Sequence, residues 1–281
     1  MKAKTSSLDY SFKGCLSSSL KPLSYLVLII LISVISPDKS EAKKTVMFFD
    51  PDANLTNIVK VKGALQRYLR KIDPKTKFQP ITKYKTFQRL IKRKKPDLLI
   101  ISSHYYKAHA ESLSLKPVFI AEKQGKLSYS KILLTKSEAS KGSVSIKSIA
   151  TTSTRDYVKS LDFKKANIKA ANLSVIQVTK DIDALLALSY GQVESALLVP
   201  DSLEYLKAAN PESVKGMKKV FNTPKTINPV LCVVGDNKDS EMKAFLDAFK
   251  NISNDKDGKA FMNFLGYSKW ITPPKKIIKQ M

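Results

Sequence analysis

From residue 44 onward, short apolar runs alternate with stretches in which apolar residues recur every three or four positions. The β-branched and aromatic run TVMFF at 45–49 predicts a strand. A loop over 50–54 follows. Thr56 is placed to cap a helix over 57–72, where Ile58, Val61, Leu65 and Leu69 share one face. Residues 77–81 predict a second strand, and 86–94 a short helix with Phe87, Leu90 and Ile91 along one side. The run DLLIIS at 97–102 shows no alternation, as in a strand covered on both faces. Strand, helix, strand, helix, strand is the order of βαβ units.

The second half of the chain follows a similar order. Extended segments at 117–121 and 130–135 flank Gly125, and a polar, serine-rich surface loop spans 136–147. A strand at 148–150 runs directly into Thr151-Thr152-Ser153-Thr154, and a helix follows over 156–161. Next come a strand at 173–177 and a helix at 181–190, with Thr179 or Asp181 as its cap and Gly191 as its stop. A buried strand at 195–199 ends at Pro200. A return segment at 222–234, with a strand at 230–234, leads to helices at 241–252 and 258–265 and a basic, irregular tail. Two α/β lobes joined by two extended crossings predict a hinged clamp, with a ligand cleft at the carboxyl ends of the strands.

The N-terminus departs from this pattern. Residues 23–35 form thirteen uncharged positions, preceded by Lys2, Lys4, Lys13 and Lys21 and followed by Ser40-Glu41-Ala42. A basic segment, a short apolar run and a small-x-small site predict a secretory signal over 1–42. The run is short for a membrane span, which needs about 20 apolar residues. The alternative is an uncleaved anchor that tethers the protein to the membrane. Cys15 precedes the apolar run, so it is not placed to carry a lipid. A cut after Ala42 leaves Cys232 as the one cysteine, with no intramolecular disulfide. Residues 1–42 hold five lysines and three acids, so the 49 basic and 24 acidic residues of the whole chain become 44 and 21. The excess of +23 therefore belongs to the folded part, and predicts attraction to anions without choosing among them.

Candidate chemistry is sparse. Thr151 to Thr154 sit where a strand gives way to a helix, so backbone N–H groups and hydroxyls there suit an anion, with Arg155 adjacent. Ordinary N-capping explains the same residues equally well. Ser102-Ser103-His104-Tyr105-Tyr106 follow the apolar strand and face the expected cleft, where they suit a small polar ligand or pack a loop. His104 and His109 lack the partners of a metal site. Asp50-Pro51-Asp52-Ala53-Asn54 opens like a calcium loop, but Leu55 and Val61 stand where glycine and glutamate are needed. It reads instead as a loop at the cleft mouth. The phosphate-loop, dinucleotide, nucleophile-elbow and zinc-protease motifs are missing, so neither an enzyme nor a cofactor is expected. Lys92-Arg93-Lys94-Lys95 and the tail lysines lack a groove-entering or stacking motif, which argues against nucleic acid.

In order, the segments TVMFFDPDANLTN, RLIKRKKPDLLIISSHYYKAH, PVFIAEKQGKLSYSKILLT, SIATTSTRDY, DIDALLALSYGQVESALLVPDSLEYL and GKAFMNFLGYSKWITP carry a resemblance. From Lys44 to the C-terminus the chain resembles the periplasmic phosphate/phosphite/phosphonate-binding proteins of ABC transporters, which have the type 2 periplasmic-binding fold. The resemblance implies an α/β, two-lobed clamp, each lobe a mixed, mostly parallel sheet flanked by helices. Lobe 1 would take 43–122 and 226–281, and lobe 2 would take 123–225. It implies that Thr152, Ser153 and Thr154 bind phosphoryl oxygens, with Ser103, His104, Tyr105 and Tyr129 at the cleft, and that Asp201 corresponds to an acid offered to a ligand amine. Three departures stand out. Gly191-Gln192-Val193-Glu194 replaces the family's Gly-x-Val-Asp, Asp201 is offset by a residue or two, and Arg155 and Asp156 follow Thr154 where the family's loop has glycine.

The expectation is a secreted or periplasmic solute-binding protein, monomeric, that closes on a small oxyanion and presents it to a membrane permease. Two other classes fit the same residues: a sensor or adaptor clamp reporting to a membrane partner, and a basic protein held by anionic surface polymer or membrane.

Overall fold

The computed structural model describes residues 44–53, 55, 57–136, 143–236 and 240–281. The expected signal, Cys15, Thr56 and half of the serine-rich loop, 137–142, lie outside the described residues.

A six-stranded sheet has the spatial order Lys269–Ile271, Leu115–Glu122, Val230–Val234, Leu98–Ile101, Thr45–Phe49, Lys77–Pro80. The last three are parallel to one another; Val230–Val234 inserts antiparallel between Leu98–Ile101 and Leu115–Glu122. Alternation along each strand sends Val46, Phe48, Leu98, Ile100, Leu231 and Val233 to one face. There they meet the helices Ile58–Arg70, Ser240–Lys250 and Lys256–Leu265. Met47, Phe49, Leu99, Ile101, Val230 and Cys232 go to the other, against Tyr84–Lys94 and Ser103–His109. The unbroken apolar runs read from the sequence are thus strands buried on both faces.

The second sheet is five-stranded, in the order Ser174–Gln177, Ser148–Thr151, Ser195–Leu198, Ile132–Thr135, Lys218–Asn222. Its two faces are filled by Ile132, Leu134, Ala196 and Leu198 on one side and Leu133, Ile149, Val175 and Leu197 on the other. Both sheets are mixed. The parallel share is smaller than expected: two of five adjacent pairings in the first sheet and two of four in the second, because each lobe takes in strands that return from a crossing.

The crossings pair with each other as a short antiparallel ribbon, Tyr129 opposite Thr226 and Ser128 opposite Ile227. Asn228 braces it, its buried carboxamide donating to the carbonyls of Ala121 and Lys126 at 2.9 and 2.8 Å. Lys131 and Thr223 lock the next step through reciprocal bonds of 2.9 Å.

Several local expectations change. The helix starts at Ile58 with Asn57 as its cap, the carboxamide accepting from the Lys60 N–H at 2.9 Å. Residues 102–106, expected as a loop, are the cap and first turn of the helix Ser103–His109. Pro200 ends a strand as expected but also opens the helix Pro200–Ala209, where a missing N–H costs nothing in the first turn. Neither Thr179 nor Asp181 caps Asp181–Ser189; Lys180 stands at that position without a side-chain bond. The tail gains an edge strand at Lys269–Ile271, anchored by buried Trp270, and a short helix at Lys275–Ile278.

Candidate functional site

Register brings the site residues together. Ser148–Thr151 runs parallel to Ser195–Leu198, and Ile132–Thr135 runs antiparallel to it with Ile132 opposite Leu198. The residue before Ile132 therefore lies beside the carboxyl ends of the two neighbouring strands. That residue is Lys131. Its ammonium is fully buried and donates to Ser153 Oγ at 2.6 Å and Thr152 Oγ1 at 3.3 Å, in the loop that ends Ser148–Thr151.

A carboxylate from the other lobe enters this cluster. Asp52, on the loop after Thr45–Phe49, accepts from Lys131 Nζ at 2.5 Å and from Thr152 Oγ1 at 3.1 Å through Oδ1. Its Oδ2 accepts from the Tyr129 hydroxyl on the crossing at 2.5 Å. Thr152 Oγ1 also lies 3.1 Å from Asp181 Oδ1, and its single proton serves one carboxylate at a time. Buried Asp181 accepts through Oδ2 from the Val199 N–H and from Ser202 Oγ, at 2.9 and 3.0 Å. It ties the loop to the rest of its sheet.

The electrostatics follow from burial. Burial alone would lower the Lys131 ammonium's pKa. The fields of Asp52 and Asp181 and the bond to Asp52 outweigh it and leave the group above its ordinary value, firmly charged. Tyr129 is held well above the usual phenol range by burial, then by Asp52 and Asp50, so it acts as a donor. Asp50, two residues from Asp52, is pushed up to about 7 by burial and by the Asp52 charge, against the bonds it accepts from the Asp52 N–H and the Tyr267 hydroxyl.

Two cavities lie between the lobes, of about 1050 and 300 Å³. Asp52 and Tyr129 line both, so their hydrogen bond is part of the partition between them. The smaller is aromatic, with Phe49, Tyr84, Tyr105, Tyr157 and His104 on its walls and Ser153 and Thr154 at one side. His104 packs edge-on to Tyr157, ring centres 5.1 Å apart, and burial lowers its pKa so that the imidazole is neutral near pH 7. The larger cavity is rimmed by Lys123, Lys126, Lys180 and Lys225.

The residues expected at the site separate into groups. Thr152, Ser153 and Tyr129 converge on one carboxylate. Thr154 caps Arg155–Lys159, its hydroxyl accepting from the Tyr157 N–H at 3.4 Å. That helix has five residues, and the Ser153 N–H donates to Thr151 Oγ1 at 3.1 Å, so hydroxyls rather than a row of free amides face the cluster. His104 and Tyr105 line the smaller cavity. Ser103 does not line it: its buried hydroxyl donates to the Ile227 carbonyl at 2.7 Å and holds the crossing. Asp201 lies on the rim of the larger cavity, paired with Lys123 at 2.8 Å. Arg155 is exposed and lines neither cavity.

Sequence reasoning missed Lys131 and gave Asp52 and Asp181 no part. The one signal for Lys131 was a lysine set directly before the wholly apolar run ILLT, at the end of a crossing. Among the described residues no cluster of three or more His, Cys, Asp or Glu suits a metal ion. No described helix is long and apolar enough to cross a membrane.

Comparison with known proteins agrees with this architecture. A comparison with curated protein sequences gives no match. The family model described as "ABC transporter, phosphonate, periplasmic substrate-binding protein" matches residues 47–276. Among solved structures, a binding-protein component of an ABC phosphonate transporter from Pseudomonas aeruginosa superposes with a TM-score of 0.61 at 16% identity, covering 84% of this chain and 85% of that one. PhnD1 from Prochlorococcus marinus, in complex with methylphosphonate, gives 0.64 at 14% identity, covering 84% and 95%. A Xanthomonas citri protein bound to ATP gives 0.63 at 10% identity, covering 84% and 94%. These identities speak for the two-lobed fold, and the family match spans most of the chain. The chain belongs to the periplasmic substrate-binding proteins of phosphonate ABC transporters.

Proposed function

We propose that this protein captures a small oxyanion of the phosphonate, phosphite or phosphate kind between its lobes, as a monomer in the periplasm, and delivers it to the permease of an ABC transporter. One observation carries the reading: Lys131 Nζ and Tyr129 OH donate to a single carboxylate, and the Thr152 hydroxyl, shared with Asp181, lies 3.1 Å from it. A carboxylate is itself an oxyanion, so the donors are already arranged around one. Ser153 Oγ accepts from Lys131 and keeps its own proton to give. Charge-assisted bonds from a buried ammonium are the strong kind, and the dry surroundings strengthen them further.

The aromatic cavity beside these donors is the place for an organic substituent on phosphorus, with Tyr105 and His104 on its wall. Its 300 Å³ admits a small group and excludes a large one. The paired crossings are the hinge about which the lobes close. None of this needs bond-making chemistry, in keeping with a transport family.

The test is a thermal-shift and calorimetric screen of the purified protein against methylphosphonate, phosphite, phosphate and sulfate. At least one phosphorus oxyanion is expected to raise the melting temperature, and Thr152→Ala combined with Ser153→Ala to abolish the shift. Unchanged binding in that double variant would overturn the site. Failure of every oxyanion to bind both the wild type and a variant lacking the Asp52 charge would overturn the function.

A further inference from the structure

Among the described residues, the three hydrogen bonds that Asp52's carboxylate accepts leave its own lobe. They reach Tyr129 on the crossing and Lys131 and Thr152 at the end of the second sheet. We propose that Asp52 is a tethered counter-ligand: its carboxylate occupies the oxyanion site of its own chain, latches the two lobes together without solute, and must be displaced before an external oxyanion binds. The inference deepens the reading above and rests on it for the identity of the competitor.

Three observations support displacement over joint binding. First, the ammonium and the phenol are already engaged, and Ser153 Oγ alone keeps a proton to give. Lys131 Nζ divides its protons among Asp52, Ser153 and Thr152, and the Tyr129 proton goes to Asp52 at 2.5 Å. A phosphonate arriving beside Asp52 would find acceptor oxygens where it needs donors. Second, the charge count is already unfavourable. One buried ammonium faces the carboxylates of Asp52 and Asp181. Adding an anion to that set deepens the negative excess in a dry site, and exchanging Asp52 for the anion leaves one negative charge fewer there. Third, the carboxylate lies outside both sheets. It sits on the loop between Thr45–Phe49 and Ile58–Arg70, where the described backbone holds itself by the Ala53 N–H to the Asp50 carbonyl at 3.3 Å and the Asp52 N–H to the Asp50 carboxylate at 3.1 Å. Withdrawing the Asp52 side chain breaks neither sheet. It also removes part of the partition between the two cavities, which both count Asp52 and Tyr129 among their walls.

The arrangement makes Asp52 a determinant of apparent affinity. A solute must outcompete a carboxylate held at very high effective concentration by the loop. The cost of displacing Asp52 is the same for every anion, so it raises all apparent dissociation constants by one factor and pushes the weaker binders below useful occupancy first. The apparent dissociation constant is the intrinsic one divided by the fraction of molecules with Asp52 withdrawn.

The experiment uses the intact protein with Asp52→Asn, which keeps the shape and removes the charge, and Asp52→Ala. Calorimetry with methylphosphonate and phosphate should show binding tightened on the order of tenfold to a hundredfold in both variants. Small-angle scattering of the wild type should give the same radius of gyration with and without oxyanion. The variants should be more extended when empty and contract on binding. The scattering arm on the wild type needs no substitution, so it stands even where a variant folds poorly. A wild type that is extended when empty, or variants that bind the oxyanion no tighter than the wild type, would overturn the counter-ligand. Variants that open but bind none of the oxyanions would keep the latch and remove the phosphonate reading, which separates the two failures.

Discussion

The two cavities between the lobes share a wall and little else. The smaller is enclosed by aromatic rings and touches the loop carrying Ser153 and Thr154. The larger is over three times its volume and rimmed by lysines from both crossings. One has shape and donors, and the other has charge and room. The difference separates two properties that net charge alone runs together. On the proposed reading, selection of a ligand belongs to the few groups around Lys131, where burial makes each bond count. Attraction of anions belongs to the exposed lysines, whose field acts over a Debye length of about 8 Å at physiological salt and carries no information about which anion arrives.

The sharpest way to break the comparison is to remove the cation on the selective side. Lys131→Met leaves Asp52 and Asp181 buried without their ammonium, and stability should fall by about 3–5 kcal/mol in chemical denaturation. Adding Asp52→Asn should restore a large part of that loss, because the cost lies in the stranded charge and not in the missing side chain. If Lys131→Met alone is neutral, the buried cluster is not the electrostatic centre of the molecule.

Asp50 gives the next effect, and it is visible in pH. Its pKa of about 7 in the folded protein lies above the ordinary 3.8. Between those values the folded state holds a proton that the unfolded chain has released. Stability therefore falls as pH rises from about 4 to 7, and the penalty is complete above 7. Asp50→Asn should flatten that slope and stabilise the protein at pH 8, by about 4 kcal/mol. A melting temperature with the same pH dependence in both proteins would show that Asp50 ionises freely.

The same contrast explains how much could be read from the chain. The sheets were legible because LLII at 98–101 and ILLT at 132–135 leave no polar face for water. The βαβ order was legible because Val61, Leu65 and Leu69 recur at helical spacing on a helix that buries them. Residues 102–106 were misread as a loop, since the seven residues of the helix Ser103–His109, with two histidines and two tyrosines, carry too little apolar periodicity to signal a helix. The hydroxyls of Thr152 and Ser153 were legible as a polar break at a strand end. Lys131 was not. It is one of 49 basic residues, and nothing local distinguishes a buried lysine from the solvated ones. What buries it is the register of Ile132 against Leu198 and the arrival of Asp52 from 79 residues away. Asp181 was hidden for a similar reason: an acid in the first turn of a helix has a local explanation, whereas its bond to the Val199 amide is tertiary.

The charged side of the comparison predicts the smallest effect, and a kinetic one. Lys126 and Lys225 are exposed, lie on the two crossings and line the larger cavity, away from the Lys131 cluster. Replacing both with alanine should slow association of a phosphorus oxyanion by about two- to fivefold at low ionic strength and leave its dissociation rate unchanged. Raising the salt should close the gap, because screening removes the long-range field from wild type and variant alike. Stopped-flow measurements at two ionic strengths read both rates. A faster dissociation in the variant would mean that the lysines touch the bound ligand, and the division between an attracting cavity and a selecting one would have to be redrawn.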